Sequence, residues 1–251
     1  MKGTEHSPEV AFTPADWQAL QVVLDRCYEG EPSGRSGTFP GTVLTLCQMQ
    51  QGKLDMQRDG QSLHTDSSNH PWIINIPGER TQHFSDDARI ISIHLSLKDP
   101  GNGAEWLGKP VVLTQPDQLA RQALDSLQKT ARECGLPQHQ LEVRGLKFPL
   151  TKALMLQAAS TVLLSHILRL THPLGLRFEV PSIDDPRVRA SHLLLATLPM
   201  QASITRDELA SAQGLSARQL DRLWQQELSI TPSQYRDRRR LAFACEQLRL
   251  P

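Results

Sequence analysis

The sequence predicts an α+β protein of two domains: a small β barrel or sandwich with flanking helices, then an all-α domain. Three observations predict it. Between Thr42 and Leu97 the chain breaks into short segments of strand texture separated by glycine turns. Before and after them, apolar residues recur at the three- and four-residue spacing of helices. Pro173, Gly175, Pro181 and Pro186 then crowd one stretch, the composition of a linker. A chain of 251 residues has room for two cores. The expected divisions are 1–112 for the sheet domain with an N-terminal helix, 113–170 for a helical region, 171–183 for the linker and 184–251 for the second domain.

The elements follow in order. Thr13-Pro14-x-Asp16 opens a helix expected to reach Tyr28, with Leu20, Val23, Leu24 and Cys27 on one face. Gly30 to Gly41 is rich in Gly, Pro and Ser and reads as a loop. The strand segments are TVLTLCQM, KLDMQRDG, QSLHTDS, WIINIPG, TQHFSD and ARIISIHLSL, with turns at Gln51-Gly52, Asp59-Gly60 and Pro77-Gly78. Thr114-x-x-Asp117 has the form of a capping box, and Leu119, Ala120, Ala123, Leu124, Leu127 and Ala131 form a stripe from there to Glu133. A further helix runs from Leu150 to Leu170. Its apolar positions, among them Leu154, Ala158, Val162, Leu163, Ile167 and Leu170, cover more than one face. Such a helix is either sandwiched within its own domain or carries a dimer surface; stripe width does not distinguish the two.

The most informative stretch is Thr205 to Ala244. Thr205 and Glu208 have capping-box spacing, and Gly214 can end that helix in a left-handed conformation. Ser216 caps a second helix, Ala217 to about Glu227, on which Leu220, Leu223 and Trp224 make a buried stripe. Arg218, Asp221, Arg222 and Gln225 lie opposite that stripe. An Arg can donate twice to guanine O6 and N7, and a carboxylate can accept from cytosine N4. The same face would also serve an ordinary solvated helix. Thr231-Pro232 then starts a third helix bearing Tyr235, Arg236, Arg238, Arg239 and Arg240.

The run Ala210, Gly214-Leu215-Ser216, Arg218, Leu220, Arg222-Leu223-Trp224, then Ile230-Thr231-Pro232, Tyr235, Arg240-Leu241 and Ala244 resembles the AraC/XylS family of bacterial transcription regulators. The match spans about Asp184 to Leu248. It implies the first helix-turn-helix and the joining helix of that family's DNA-binding domain. By position it implies base reading by Arg218, Asp221 and Arg222. It implies weaker backbone contacts from Arg206, Ser216, Gln225, Arg236 and Arg239. The family pattern continues into a second helix-turn-helix, which would begin where this chain reaches Pro251, so the expected DNA-binding domain is incomplete. The strand region, with its Pro77-Gly78-x4-His83 step, is similar to the family's cupin-like sensor barrel. The resemblance therefore implies a cytoplasmic homodimer that binds double-stranded DNA and a small-molecule effector, with RNA polymerase as a further partner.

Charge and composition set limits on this. The chain has 27 basic and 27 acidic residues. Residues 184–251 hold ten Arg and no Lys against eight Asp and Glu, a net of +2 and a weak footprint for a DNA binder. Cys27, Cys47, Cys134 and Cys245 form no metal-binding pair, and reduced thiols are expected. The N-terminus lacks the apolar core of a signal peptide, and Ala153 to Leu170 is broken by polar residues, so no membrane partner is expected. Some cupins are metalloenzymes, and His64, His70, Glu79, His83 and His94 are the residues such a site would use. No His-x-His pair occurs, and nothing in the spacing makes these residues converge. No metal, cofactor or catalytic constellation is expected. The alternatives carried forward are a cupin-type metalloenzyme with an appended helical domain and a shortened sensor that no longer binds DNA tightly.

Overall fold

A computed structural model describes residues 21–32, 36–98, 105–136, 143, 146–179, 183–199 and 202–248. The chain divides into two compact units, one of sheets and helices up to residue 178, the other essentially residues 179–251.

In the first unit the strands are β1 (Gln21–Gly30), β2 (Gly37–Gly41), β3 (Leu44–Gln51), β4 (Lys53–Arg58), β5 (Gln61–Asp66), β6 (Trp72–Asn75), β7 (Gly78–Phe84), β8 (Arg89–Lys98), β9 (Glu105–Leu107), β10 (Val111–Leu113) and β11 (Arg177–Glu179). Five of them form one sheet in the order β1-β8-β3-β6-β10, and four form another in the order β2-β7-β4-β5. The paired neighbours in these two sheets run antiparallel. The described strands stay in separate sheets, so the expected closed barrel is corrected to an open arrangement.

Alternation along the strands builds the unit in three layers. On β3, Leu44 and Leu46 belong to one buried cluster, and Cys47 and Met49 belong to another. The second cluster joins Leu54 and Met56 of β4 to Ile73 and Ile90 of the larger sheet, filling the space between the sheets. The first cluster joins Leu46, Ile74, Ile93 and Leu95 to two helices on the outer face, α1 (Gln118–Glu133) and α2 (Leu150–Thr171). A residue step of two puts like neighbours on one face, so the larger sheet is apolar on both sides.

Several expectations need correction. Residues 21–28 are strand, not the end of an N-terminal helix; residues 13–20 lie outside the described set. Val22 and Leu24 fit strand alternation while Val23, Leu24 and Cys27 fit helical spacing, and pairing with β8 from Gln21 to Gly30 decides in favour of the strand. The stretch read as a loop from Gly30 contains β2. Asp117, not Thr114, caps α1, accepting from the Ala120 N–H at 2.8 Å, and Leu119 points to solvent. The hairpin at Asp59-Gly60 is as its sequence demands, with both residues at positive φ, 50° and 72°.

By length and mean hydropathy the segment Leu150–Leu174 could cross a membrane. In the fold, however, Leu156, Leu163, Leu164 and Ile167 of α2 are core residues of the first unit. Its opposite face leaves Leu150, Leu154, Met155 and Val162 exposed.

The second unit holds α3 (Pro186–Thr197), α4 (Arg206–Ser211), α5 (Ala217–Leu228) and α6 (Pro232–Leu248). Val188, Leu195, Leu209, Ala210, Leu220, Trp224 and Tyr235 form its core. His192, Trp224 and Tyr235 pack ring on ring, with centroids 4.9 to 5.6 Å apart. The buried Trp224 Nε1–H donates to Ser191 Oγ at 2.8 Å, and Ser191 Oγ–H donates to the Val188 carbonyl at 2.9 Å. The polar edge of the largest core side chain is thereby satisfied.

Candidate functional site

α4 and α5 are a helix pair written into local sequence. Thr205 Oγ1 accepts from the Glu208 N–H at 3.2 Å, and Glu208 Oε2 accepts from the Thr205 N–H at 2.8 Å. Ser216 and Gln219 repeat the exchange at the start of α5, with distances of 3.3 and 2.9 Å. Each reciprocal cap satisfies two backbone donors that a helix start leaves open. Between the helices Gly214 sits at φ 65°, and the Leu215 N–H donates to the Ala210 carbonyl at 3.0 Å. That backbone conformation favours glycine and turns the chain sharply.

On α5 the core face and the outer face separate cleanly. Leu220 and Trp224 are fully buried, while Arg218, Arg222 and Gln225 are exposed. Asp221 is not presented in the same way, because Arg206 of α4 holds its carboxylate at 2.7 Å. Among the expected backbone-contacting residues, Ser216 is spent on its cap. Arg236 donates through Nη1 to the Ile204 carbonyl at 2.9 Å, and Arg239 donates to the Leu195 carbonyl. These two arginines fasten α6 to the ends of neighbouring elements. The outward cationic pair is therefore Arg218 and Arg222, one turn apart on a helix whose other side is fixed in the core.

A second feature lies between the two sheets of the first unit. A cavity of about 280 Å³ is lined by Arg26 and Tyr28 of β1, Asn75 of β6, Arg80 and Gln82 of β7, and His94 of β8. Arg80 is buried, with its Nε–H on Gln82 Oε1 at 3.0 Å. Its Nη1 has no partner among the described residues, and neither does Asn75 Oδ1. Burial pushes the Arg80 guanidinium pKa down, yet an arginine keeps its charge. Beside it, burial pushes the Cys47 thiol up to about 12, so that sulfur stays neutral.

The residues weighed for a metal site are dispersed. His64 pairs with Asp55 at 2.6 Å on exposed sheet surface, and His70 Nδ1 lies 3.2 Å from the Met49 carbonyl oxygen. His94 lines the cavity. Among the described residues no three His, Cys, Asp or Glu side chains gather as metal ligands would.

Sequence reasoning missed the cavity and the buried His192. For the cavity a signal exists. Phe84, Gln82 and Arg80 alternate along β7, and the aromatic end of that series marks the inward face.

No protein-family model matches the chain. No curated protein matches it either. Among solved structures it is similar to an apo variant of ToxT from Vibrio cholerae, at TM-score 0.33 and 9% identity over 87% of this chain and 97% of that one. It is similar to the AraC-like transcriptional activator CuxR at TM-score 0.30 and 12% identity, over 90% of this chain and 77% of that one. A Vibrio cholerae ToxT bound to an unsaturated fatty acid gives TM-score 0.24 and 10% identity, over 86% and 94% of the two chains. Likeness at this level leaves the function to be argued from the residues.

Proposed function

We propose that this protein is a DNA-binding transcription regulator of AraC type, whose sheet unit senses a small molecule. The observation that carries this reading is the outer face of α5. Arg218 and Arg222 stand exposed there, on a helix anchored by Leu220 and Trp224 and preceded by a short capped helix and a glycine turn. A helix held in this way can lie in the major groove with its arginines toward base edges. Asp221, tied to Arg206, would serve by setting the spacing of the two helices. Arg206 itself, with Gln225 and the remaining N–H groups of Arg236 and Arg239, would meet the phosphate backbone.

The reading includes self-association through α2. Leu150, Leu154, Met155 and Val162 would otherwise leave a connected apolar face in water, at about 25 cal/mol per Å². Leu163 and Ile167 are core residues and play no part in that face.

Selection from a random duplex library tests the DNA reading. The chain is expected to enrich a short motif, and Arg222→Ala to blur one or two of its positions, a loss of about 1–3 kcal/mol for a bidentate base contact. Enrichment of no motif, or of the same motif by Arg222→Ala, would overturn it.

A further inference from the structure

The cavity between the sheets carries more chemical information than the proposed sensor role alone uses. Resting on that sensor reading, we propose that it takes a small carboxylic acid whose carboxylate is held by Arg80. Arg80 is only 8% exposed, and its Nη1 has no partner among the described residues. Among the described residues no Asp or Glu lines the cavity. The thiol of Cys47 stays protonated and supplies no counter-charge. A buried cation without a counter-ion is strongly unfavourable, and a fold that keeps one has placed it for something that arrives. The guanidinium fork matches a carboxylate in two parallel hydrogen bonds.

The rest of the cavity narrows the ligand. A Cβ at Gly41 would stand 2.7 Å from both Arg80 Nη1 and the Gly78 carbonyl oxygen, so only bare backbone lets the guanidinium pack there. Asn75, 3% exposed, lines the cavity as an uncharged polar side chain. Phe39, Phe84 and Tyr28 add ring surface, which suits an organic acid better than an inorganic ion. A volume of about 280 Å³ lies just below the range of roughly 300–1,000 Å³ for small-molecule sites, favouring an acid of one ring or a few carbons over a long chain.

Calorimetric titration of the full chain tests this. The probes are 3-hydroxybenzoate and lactate, the primary amide of each, inorganic phosphate, and oleate. At least one small acid is expected to bind, with its amide at least tenfold weaker. Arg80→Gln is expected to abolish binding and Arg80→Lys to retain part of it. Equal binding of acid and amide, binding only of phosphate, preference for oleate, or no binding by any probe would each overturn the assignment. Thermal melting gives a second readout. Without ligand, Arg80→Gln should melt no lower than the parent, and the acid should raise the parent's midpoint but not the variant's. A variant that melts well below the parent without ligand makes Arg80 a structural residue and sinks the proposal. None of these measurements involves DNA. Loss of the selected DNA motif with acid binding intact therefore removes the regulator reading alone, and the reverse result removes only the ligand.

Discussion

Two buried polar side chains, Trp224 of the helical unit and Arg80 of the sheet unit, are held in opposite ways. In the helical unit, Trp224 donates to Ser191 and Ser191 to a carbonyl, so the indole is both packed and satisfied. Arg239 likewise donates to the Leu195 carbonyl. Between the sheets, Arg80 and Asn75 are 8% and 3% exposed, and their Nη1 and Oδ1 have no partner among the described residues. The difference teaches how to separate polar groups that hold a fold together from those that wait for a partner. In the first kind the hydrogen bonds close within the protein; in the second the residue lines a cavity.

Substitutions can break or sharpen that contrast. The largest effect is expected from Trp224→Ala, which empties the centre of the aromatic cluster and removes the indole N–H that Ser191 Oγ accepts. Destabilisation of about 3–5 kcal/mol in urea unfolding of the helical unit is expected. Arg239→Met removes one fastening of α6 and should cost about 1–3 kcal/mol by the same measurement, since the Leu195 carbonyl loses its charged donor. If Arg239→Met proved neutral, that arginine would be free for phosphate after all. Val162→Lys, on the outward face of α2, should leave folding unchanged within about 0.5 kcal/mol while shifting sedimentation toward monomer. A wild-type chain that sediments as a monomer at high concentration would refute the dimer instead. Arg222→Ala should also leave stability within about 0.5 kcal/mol, because the side chain is exposed, and register only in the selected DNA motif.

The smallest effect concerns acid. Asp185 caps α3, and hydrogen bonds from the Arg187 side chain and backbone hold its carboxyl at about 2, below the usual 3.8. A depressed carboxylate stabilises the fold above its unfolded value and ceases to do so as pH falls through about 2. Asp185→Asn is therefore expected to flatten the acid limb of stability between those two values, with little change at neutral pH.

What the sequence disclosed follows from how far each signal reaches. The starts of α4 and α5 were legible because a cap and its partner sit three residues apart. Leu220 and Trp224 were legible because helical periodicity exposes one face and hides the other. β1 was not, since QVVLDRCY fits both a helical and a strand spacing, and its partner β8 lies far along the chain. The engagement of Asp221 by Arg206 was equally hidden, because it depends on how α4 meets α5. Arg80 was hidden for a different reason. GERTQHF carries polar residues on both faces, so Phe84 at its end is the one local sign of which face lies inside.

The reciprocal caps bear on the order in which the chain acquires structure. Thr205 with Glu208, Ser216 with Gln219, and Thr231 with Gln234 each close their bonds within four consecutive residues. Those contacts need almost no loop closure, so helix starts in residues 205–234 can form on the submicrosecond to microsecond scale of isolated helices. The sheet unit has no such shortcut: joining Ser96 to Asp25 alone brings together residues 71 apart. Kinetically the helical unit is the early folder and the sheet unit the late one, although ribosomal synthesis delivers them in the opposite order.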